Sequence, residues 1–251
     1  MNIKQFDEDG YLIVEKFIST EAVSNCRHEL VEAIDRSVLA RPRAFDVGMV
    51  HNCFAEGSSM LSVLGLERLR EYTDRLLCLN AIVYAYQASS IPPNARNYGS
   101  RIHCDCPRFF FPYRTNIGLI IALDEFTEDN GATQVLPGSQ KKANTPTDDE
   151  FEALCRTLTC NAGDAIFFDA RLFHRAGANK TVFWRHALTI NFCRPFMRSR
   201  FDFPRLIERL QLSIGDNPSL RKYLGYDVRM PVTLDEFYLP ENDRFYKPGQ
   251  E

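Results

Sequence analysis

Three residues able to bind one metal ion, and a cation to go with them, stand out in a chain with only five histidines. They are His103 and Asp105, in the tripeptide His103-Cys104-Asp105, then His174, with Arg185 eleven residues further on. Two neutral imidazoles and one carboxylate on one face of an ion leave three adjacent positions open. Ferrous iron uses such positions to take a chelating cosubstrate and then dioxygen, whereas a structural zinc has no need of them. Taken alone, a histidine and an aspartate two apart is a short pattern that also occurs as an ordinary surface or core pair, so its weight depends on what surrounds it.

If His103-Cys104-Asp105 lies in a strand, its outer side chains project from the same face about 7 Å apart. His174 follows the apolar run Ile166-Phe167-Phe168, and two strands of a closed sheet can bring these ends together. Arg185 falls in Thr181-Val182-Phe183-Trp184-Arg185-His186-Ala187-Leu188, which reads as a strand. A guanidinium among such neighbours needs an anion. Either a carboxylate-bearing cosubstrate held by the two-pronged guanidinium or a structural pair with Asp or Glu meets that need.

The elements that must position these residues change character along the chain. With 251 residues and 45% hydrophobic content, one elaborated domain spanning 1–251 is expected. Its first 80 residues or so read as helical, residues from about 81 to 195 as strands, and about 196 to 251 as a helical and irregular extension. Near the start, Phe6 to Val14 reads as a turn feeding a strand. Ser19 or Thr20 can then cap an amphipathic helix that buries Val23, Cys26, Leu30 and Ile34 and turns Arg27, Glu29 and Glu32 outward. A second helix is expected from about Leu66 to Leu77. Residues 41 to 52 between them, with Arg43 and His51, read as a loop over a site or as an ordinary surface connection. Strands are expected at Ala81 to Gln87, Ile117 to Leu123, Thr133 to Leu136 after a hairpin turn at Asn130-Gly131, Ala165 to Phe168, and Ala187 to Phe192. Without strand-helix alternation, this series indicates an antiparallel sandwich or barrel.

Thirty basic and 33 acidic residues, with no basic block, argue against nucleic acid or anionic membranes as partners. No apolar stretch reaches the length of a membrane span and no signal core opens the chain, so a soluble cytoplasmic protein is expected. The eight cysteines are scattered and include no closely spaced pair of the C-x2-C kind, so neither a disulfide framework nor a structural zinc site is expected.

The stretch from His103 to Arg114, the segment Asn130-Gly131-Ala132-Thr133-Gln134-Val135-Leu136-Pro137-Gly138-Ser139, and the run from Gly163-Asp164 through His174 to Arg185 together resemble the phytanoyl-CoA dioxygenase family. The resemblance covers roughly residues 6 to 195. It implies a mainly β fold with flanking helices, built on a double-stranded β-helix or jelly roll. It also implies an Fe(II)- and 2-oxoglutarate-dependent dioxygenase that uses O2 to oxidise a small organic molecule and releases succinate and CO2. His103, Asp105 and His174 would hold the iron, and Arg185 would pair with the distal carboxylate of 2-oxoglutarate. Thr133 matches a threonine that contacts the cosubstrate in some fungal members, and Gln87, on the strand before the His103 turn, is a further cosubstrate candidate. Halogenating relatives carry a small residue at the Asp105 place, so the carboxylate implies hydroxylation or another oxidation. Many members have glutamine where this chain has Cys104, and some have a hydroxyl where it has Ala176. The common Gly-Ser-His is Gly138-Ser139-Gln140 here.

For the substrate, Phe109, Phe110, Phe111 and Tyr113 are candidates for an apolar pocket, and Arg101, Arg108 and Arg114 for an acidic or CoA-linked group. The alternative places these side chains in core or solvent. His51, Arg43 and Arg198 are candidates for the mouth. Two other classes stay open: a silent jelly-roll binding protein, and a cupin-like metalloenzyme that does not use 2-oxoglutarate. The sequence leaves the oligomeric state unspecified.

Overall fold

The computed structural model describes residues 2–40, 46–228 and 230–244. Arg43, a candidate for the site mouth, lies outside them. The first elements are α1 (Ile3–Asp9), β1 (Tyr11–Val14), α2 (Thr20–Ala40), β2 (Met49–His51), α3 (Ser58–Ser62), α4 (Glu67–Leu76) and β3 (Ile82–Ser89). There follow β4 (Asn116–Ala122), β5 (Thr133–Val135), α5 (Asp148–Leu154), β6 (Arg156–Thr157), β7 (Ala165–Asp169), β8 (His174–Ala176) and β9 (Ala187–Cys193). Three helices close the series: α6 (Phe203–Leu210), α7 (Pro218–Tyr223) and α8 (Leu234–Phe237).

The large sheet is antiparallel, with strand order β1-β7-β4-β9-β3-β2, and a three-stranded sheet has the order β6-β5-β8. β4, near the middle of the large sheet, is buried at every residue because both its faces are covered. That is why its sequence reads as a continuous apolar run and lacks strict alternation. Ile117, Leu119 and Ile121 pack with Phe167, Ile190 and Phe192 against residues of α2, α4, α6 and α7, in the main core. Ile120, Ala122, Ile166 and Phe168 point the other way and pack with Val135 and Phe126, forming a second core toward the small sheet. A helix layer, a large sheet and a small sheet are thus stacked, the arrangement of a jelly-roll core with flanking helices.

Helix α2 buries the apolar residues its spacing indicates, and Ser19 Oγ accepts from the backbone N–H of Ala22 at its start. Glu29 does not face away as expected. Its carboxylate accepts the N–H groups of Ser59 and Met60 and so satisfies donors that the first turn of α3 leaves open.

Four other expectations change. Residues 3–9 form a helix where a turn was expected, closed by Gly10 in the left-handed conformation. Asn130-Gly131 does not close a two-residue hairpin: β4 pairs with β7 and β9, while β5 pairs with β6 and β8 in the other sheet. His103-Cys104-Asp105 is not in a strand, and His103 makes a lone bridge to His174 at the open edge of β8. Finally, the strand expected from Thr181 begins only at Ala187. The side chain of Asn179 bonds the backbone of Thr181 and Phe183 and bends the chain there.

Candidate active site

The two sheets enclose a cavity of about 460 Å³. The large sheet contributes Met49 and His51 from β2, Tyr84, Ala85, Gln87 and Ser89 from β3, Thr189 and Asn191 from β9, Ile120 and Phe168. The small sheet contributes Thr133, His174, Arg175 and Ala176.

His103, Asp105 and His174 meet in this cavity, with one donor atom from each lying within 4.8 Å of the others. The backbones of His103 and His174 bond each other reciprocally, at 3.0 and 2.8 Å, so the short bridge sets the two rings side by side. Nδ1 of His103 donates to the carbonyl of Arg101 at 2.7 Å, and Nδ1 of His174 to that of Leu172 at 2.9 Å. A carbonyl can only accept, so in each neutral ring the proton sits on Nδ1 and the Nε2 lone pair is free. Those Nε2 atoms lie 3.7 Å (His103) and 3.9 Å (His174) from Oδ1 of Asp105. Burial, then the neighbouring His103, pushes the His174 imidazole down to about 4, which keeps it neutral as a ligand must be.

The aspartate is itself oriented. Asn191 on β9 donates to Asp105 Oδ2 at 3.2 Å, and Asn116 on β4 donates to Asn191 Oδ1 at 2.9 Å. One carboxylate oxygen is thereby engaged and the other turned to the histidines, the kind of support that fixes a metal ligand. Phe168 packs on the His174 ring with centroids 4.8 Å apart. It can do so because Gly118 opposite it on β4 has no side chain, and a Cβ there would overlap the phenyl ring.

Arg185 is 2% exposed. Its NH1 and NH2 donate to the carbonyls of Ser89 and Gly131, and its guanidinium lies over the Phe126 ring at 4.4 Å. Its Nε is buried without a partner. Among the described residues no carboxylate pairs with it: the side-chain oxygens of Asp124 take Arg27 and the backbone N–H of His186. Burial lowers the guanidinium to about 10, so it stays cationic at neutral pH. The structural ion pair considered for Arg185 is therefore not what it makes. Gln87 also has a buried oxygen without a partner, and it lines the same cavity.

A ferrous ion and a dicarboxylate cosubstrate fit this arrangement: three free donor atoms converge, and a buried cation without a counter-ion opens on the same space. Among the described residues this is the one cluster of its kind.

Of the other residues indicated by sequence, Thr133, Gln87 and His51 line the cavity and Arg101, Arg108, Phe110, Tyr113 and Arg198 do not. The chain turns away after Asp105, where the N–H of Cys106 bonds the carbonyl of Ala170, and it carries Arg108 to Arg114 into a separate crevice. Arg114 there pairs with Asp169 and Asp7. Arg101 packs on the Tyr98 ring at 4.1 Å. Sequence reasoning missed Tyr84, Tyr98, Thr189, Asn191, Arg175 and Arg200, all of which line the cavity. The signal available for Thr189 and Asn191 was their alternation with Leu188, Ile190 and Phe192.

The family model described as Phytanoyl-CoA dioxygenase (PhyH) matches residues 6–187. The Mycobacterium tuberculosis protein Rv1501 is 26% identical over 252 residues, covering 96% of this chain and 92% of its own. The ectoine dioxygenase of Streptomyces coelicolor is 23% identical over 230 residues, with 76% of each chain covered. Among solved structures, AviO1 from Streptomyces viridochromogenes superposes with a TM-score of 0.66 at 22% identity, over 78% of this chain and 95% of its own, and so shares the fold. No described helix is long and apolar enough to cross a membrane. With the match spanning most of the chain and the site built as described, the protein belongs to the phytanoyl-CoA dioxygenase family of Fe(II)- and 2-oxoglutarate-dependent oxygenases.

Proposed function

We propose that His103, Asp105 and His174 hold the iron of this dioxygenase, that Arg185 anchors the distal carboxylate of 2-oxoglutarate, and that the outcome is hydroxylation or a related oxidation of a small organic molecule. The observation that carries this reading is Arg185: a cation this buried, served only by carbonyls and opening on the cavity of the metal ligands, is tolerable when an anion joins it. When bound, the iron supplies the redox chemistry that couples decarboxylation of 2-oxoglutarate, to succinate and CO2, to oxidation of the substrate.

The chain's own residues do the rest. The Nδ1 bonds to Arg101 and Leu172 hold both imidazoles in the ligating tautomer, and Asn191 holds Asp105. Thr133 stands directly opposite Ala176 across the β5–β8 pair, so its hydroxyl can serve the cosubstrate where Ala176 offers none. Gln87 adds a second polar contact on the opposite wall. Ile120 and Phe168 line the cavity and limit water beside the reacting centre. With Asp105 occupying its ligand position, halogenation is disfavoured. We further propose that residues 1–251 work as one domain and that the protein acts in the cytoplasm without nucleic acid as a partner.

Anaerobic addition of Fe(II) and 2-oxoglutarate is expected to give a weak visible charge-transfer band that is absent in His174→Ala and weakened in Arg185→Ala. Tight iron binding with no band, and no succinate formed in air, would overturn the assignment in favour of a metalloenzyme or binding protein that does not use 2-oxoglutarate.

A further inference from the structure

Three arginines line the cavity, and they are in different situations. Arg175 is fully engaged: its Nε donates to Gln134 at 2.7 Å, and its two terminal nitrogens take both oxygens of Glu152 at 2.5 and 2.8 Å. Arg185 is the buried cation assigned above to the cosubstrate. Arg200 is exposed, and among the described residues its guanidinium has neither a carboxylate nor a hydrogen-bond acceptor.

The position of Arg200 is fixed although its head group is free. Its backbone N–H bonds the carbonyl of Tyr84 at 2.8 Å, and the adjacent Ser199 hydroxyl bonds the carbonyl of Val83 at 2.8 Å. Both contacts fall where β3 breaks register with β9, between Val83 and Ala85. Such irregularities re-aim side chains at the edges of sites. Here the break presents Tyr84 and the Arg200 segment together to the cavity.

Strand β3 also orders the groups along the cavity. Arg200 is tied to Tyr84 at one end, and Arg185 donates to the carbonyl of Ser89 at the other. Between them, Ala85 stands opposite Asn191, the residue that holds Asp105. At the usual rise per residue the two anchor points are roughly 16 Å apart, and Asn191 meets the strand one residue from the Tyr84 end. The cavity's other acidic residue is Asp46, three residues before Met49 of β2, which pairs with Ser89.

We propose that the primary substrate carries an oxyanion, a carboxylate or a phosphate monoester, that pairs with Arg200, so that substrate and cosubstrate approach the iron from opposite ends of the cavity, each held by its own arginine. The proposal rests on the assignment of Arg185 to 2-oxoglutarate. A guanidinium suits both oxyanions, since its fork matches either in two-point contact. Tyr84, beside it, offers a ring face and a hydroxyl to whatever the oxyanion is attached to.

The test uses the Fe(II)–2-oxoglutarate complex under anaerobic conditions as its own reporter. A panel of aryl and alkyl carboxylates and of phosphate monoesters, each paired with its neutral amide or alcohol, is titrated while the charge-transfer band is followed. In wild type the charged members of one series are expected to shift the band without bleaching it, with at least tenfold tighter apparent binding than their neutral partners. The responding series tells carboxylate from phosphate. In Arg200→Gln that preference is expected to disappear, and in Arg200→Lys to return in part. Neutral members binding as well as charged ones, a charged-member response unchanged in Arg200→Gln, or no response to any charged member would each overturn the proposal. Bleaching of the band would also overturn it, since that marks competition at Arg185. Failure of the band to form at all would strike the assignment of Arg185 and the metal ligands, a separate outcome.

Discussion

The two faces of the large sheet are made by the same strands and do different work. On β9, Leu188, Ile190 and Phe192 enter the helix-side core, while Thr189 and Asn191, between them, line the cavity. On β3, Val83, Tyr86 and Ala88 go to the core, and Ala85, Gln87 and Ser89 to the cavity. Because side chains alternate along a strand, one backbone serves both tasks without compromise. The larger apolar core lies on the helix side, and a smaller one lies on the inner side toward the small sheet. The inner side can carry unpartnered polar atoms, such as those of Gln87 and Arg185, that a protein core does not normally tolerate. Substitutions on the two faces are therefore expected to separate stability from activity.

The largest separation is expected at Phe192, which is fully buried with its ring packed on Tyr223 at 5.2 Å. Phe192→Ala is expected to cost about 3–5 kcal/mol, from lost apolar burial and the cavity left behind. Thr189→Ala, three residues away on the inner face, is expected to lie within about 0.5 kcal/mol of wild type. Denaturant unfolding of both variants measures the difference. Equal losses would mean that the inner face shares the load.

A smaller effect is expected from pH. His186 falls on the helix side by the same alternation, stacked on Trp184 at 5.8 Å and bonded through Nδ1 to Ser90 Oγ at 2.9 Å. Burial holds its imidazole at about 4; Asp124 opposes that shift, and Arg27 and Arg185 add to it. The unfolded chain, with an ordinary histidine near 6.5, therefore takes up the proton first as pH falls. The stability that neutral His186 contributes is complete above that value and is lost between about 6.5 and 4, amounting to roughly 3 kcal/mol. His186→Gln is expected to flatten the fall in thermal midpoint across that window, and an unchanged slope would remove His186 as its source.

The contrast between faces also explains what the sequence made legible. Strands β4 and β7 announce themselves as apolar runs because both their faces are covered, whereas β2 lies in a stretch that read as a loop, and Arg185 was visible as a charge among apolar neighbours. Helix α1 was not visible: it is seven residues long with only Phe6 buried, and Asn2 and Gly10 define it by capping. His103 and Asp105 had the right identities but the wrong setting, since a bridge to His174, 71 residues away in sequence, places them where a strand of their own was expected. Proximity in sequence misled at Arg108, Phe110 and Tyr113, because the chain leaves the cavity at Cys106. Arg200 is recruited by contacts to a strand more than a hundred residues earlier, which no local pattern encodes.

Asn191 offers the finest test of the comparison, because it sits on the inner face and would act on a metal only through Asp105. Its side chain links Asp105 to Asn116, and among the described residues it hydrogen-bonds no proposed ligand besides Asp105. Removing such an oriented partner typically weakens a metal site by about 10- to 100-fold. Asn191→Ala is expected to lower Fe(II) affinity within that range in a chelator competition, because the freed Asp105 oxygen can then rotate and the carboxylate is no longer held toward His103 and His174. Thr189→Ala lies on the same face of the same strand without a bond to Asp105, so it is expected to bind iron as wild type does. If both variants lost affinity alike, the effect would belong to the packing of the inner face as a whole. If neither did, the bridge between the two histidines would be enough to assemble the site, and the asparagine pair would be left only the task of filling the sheet beneath it.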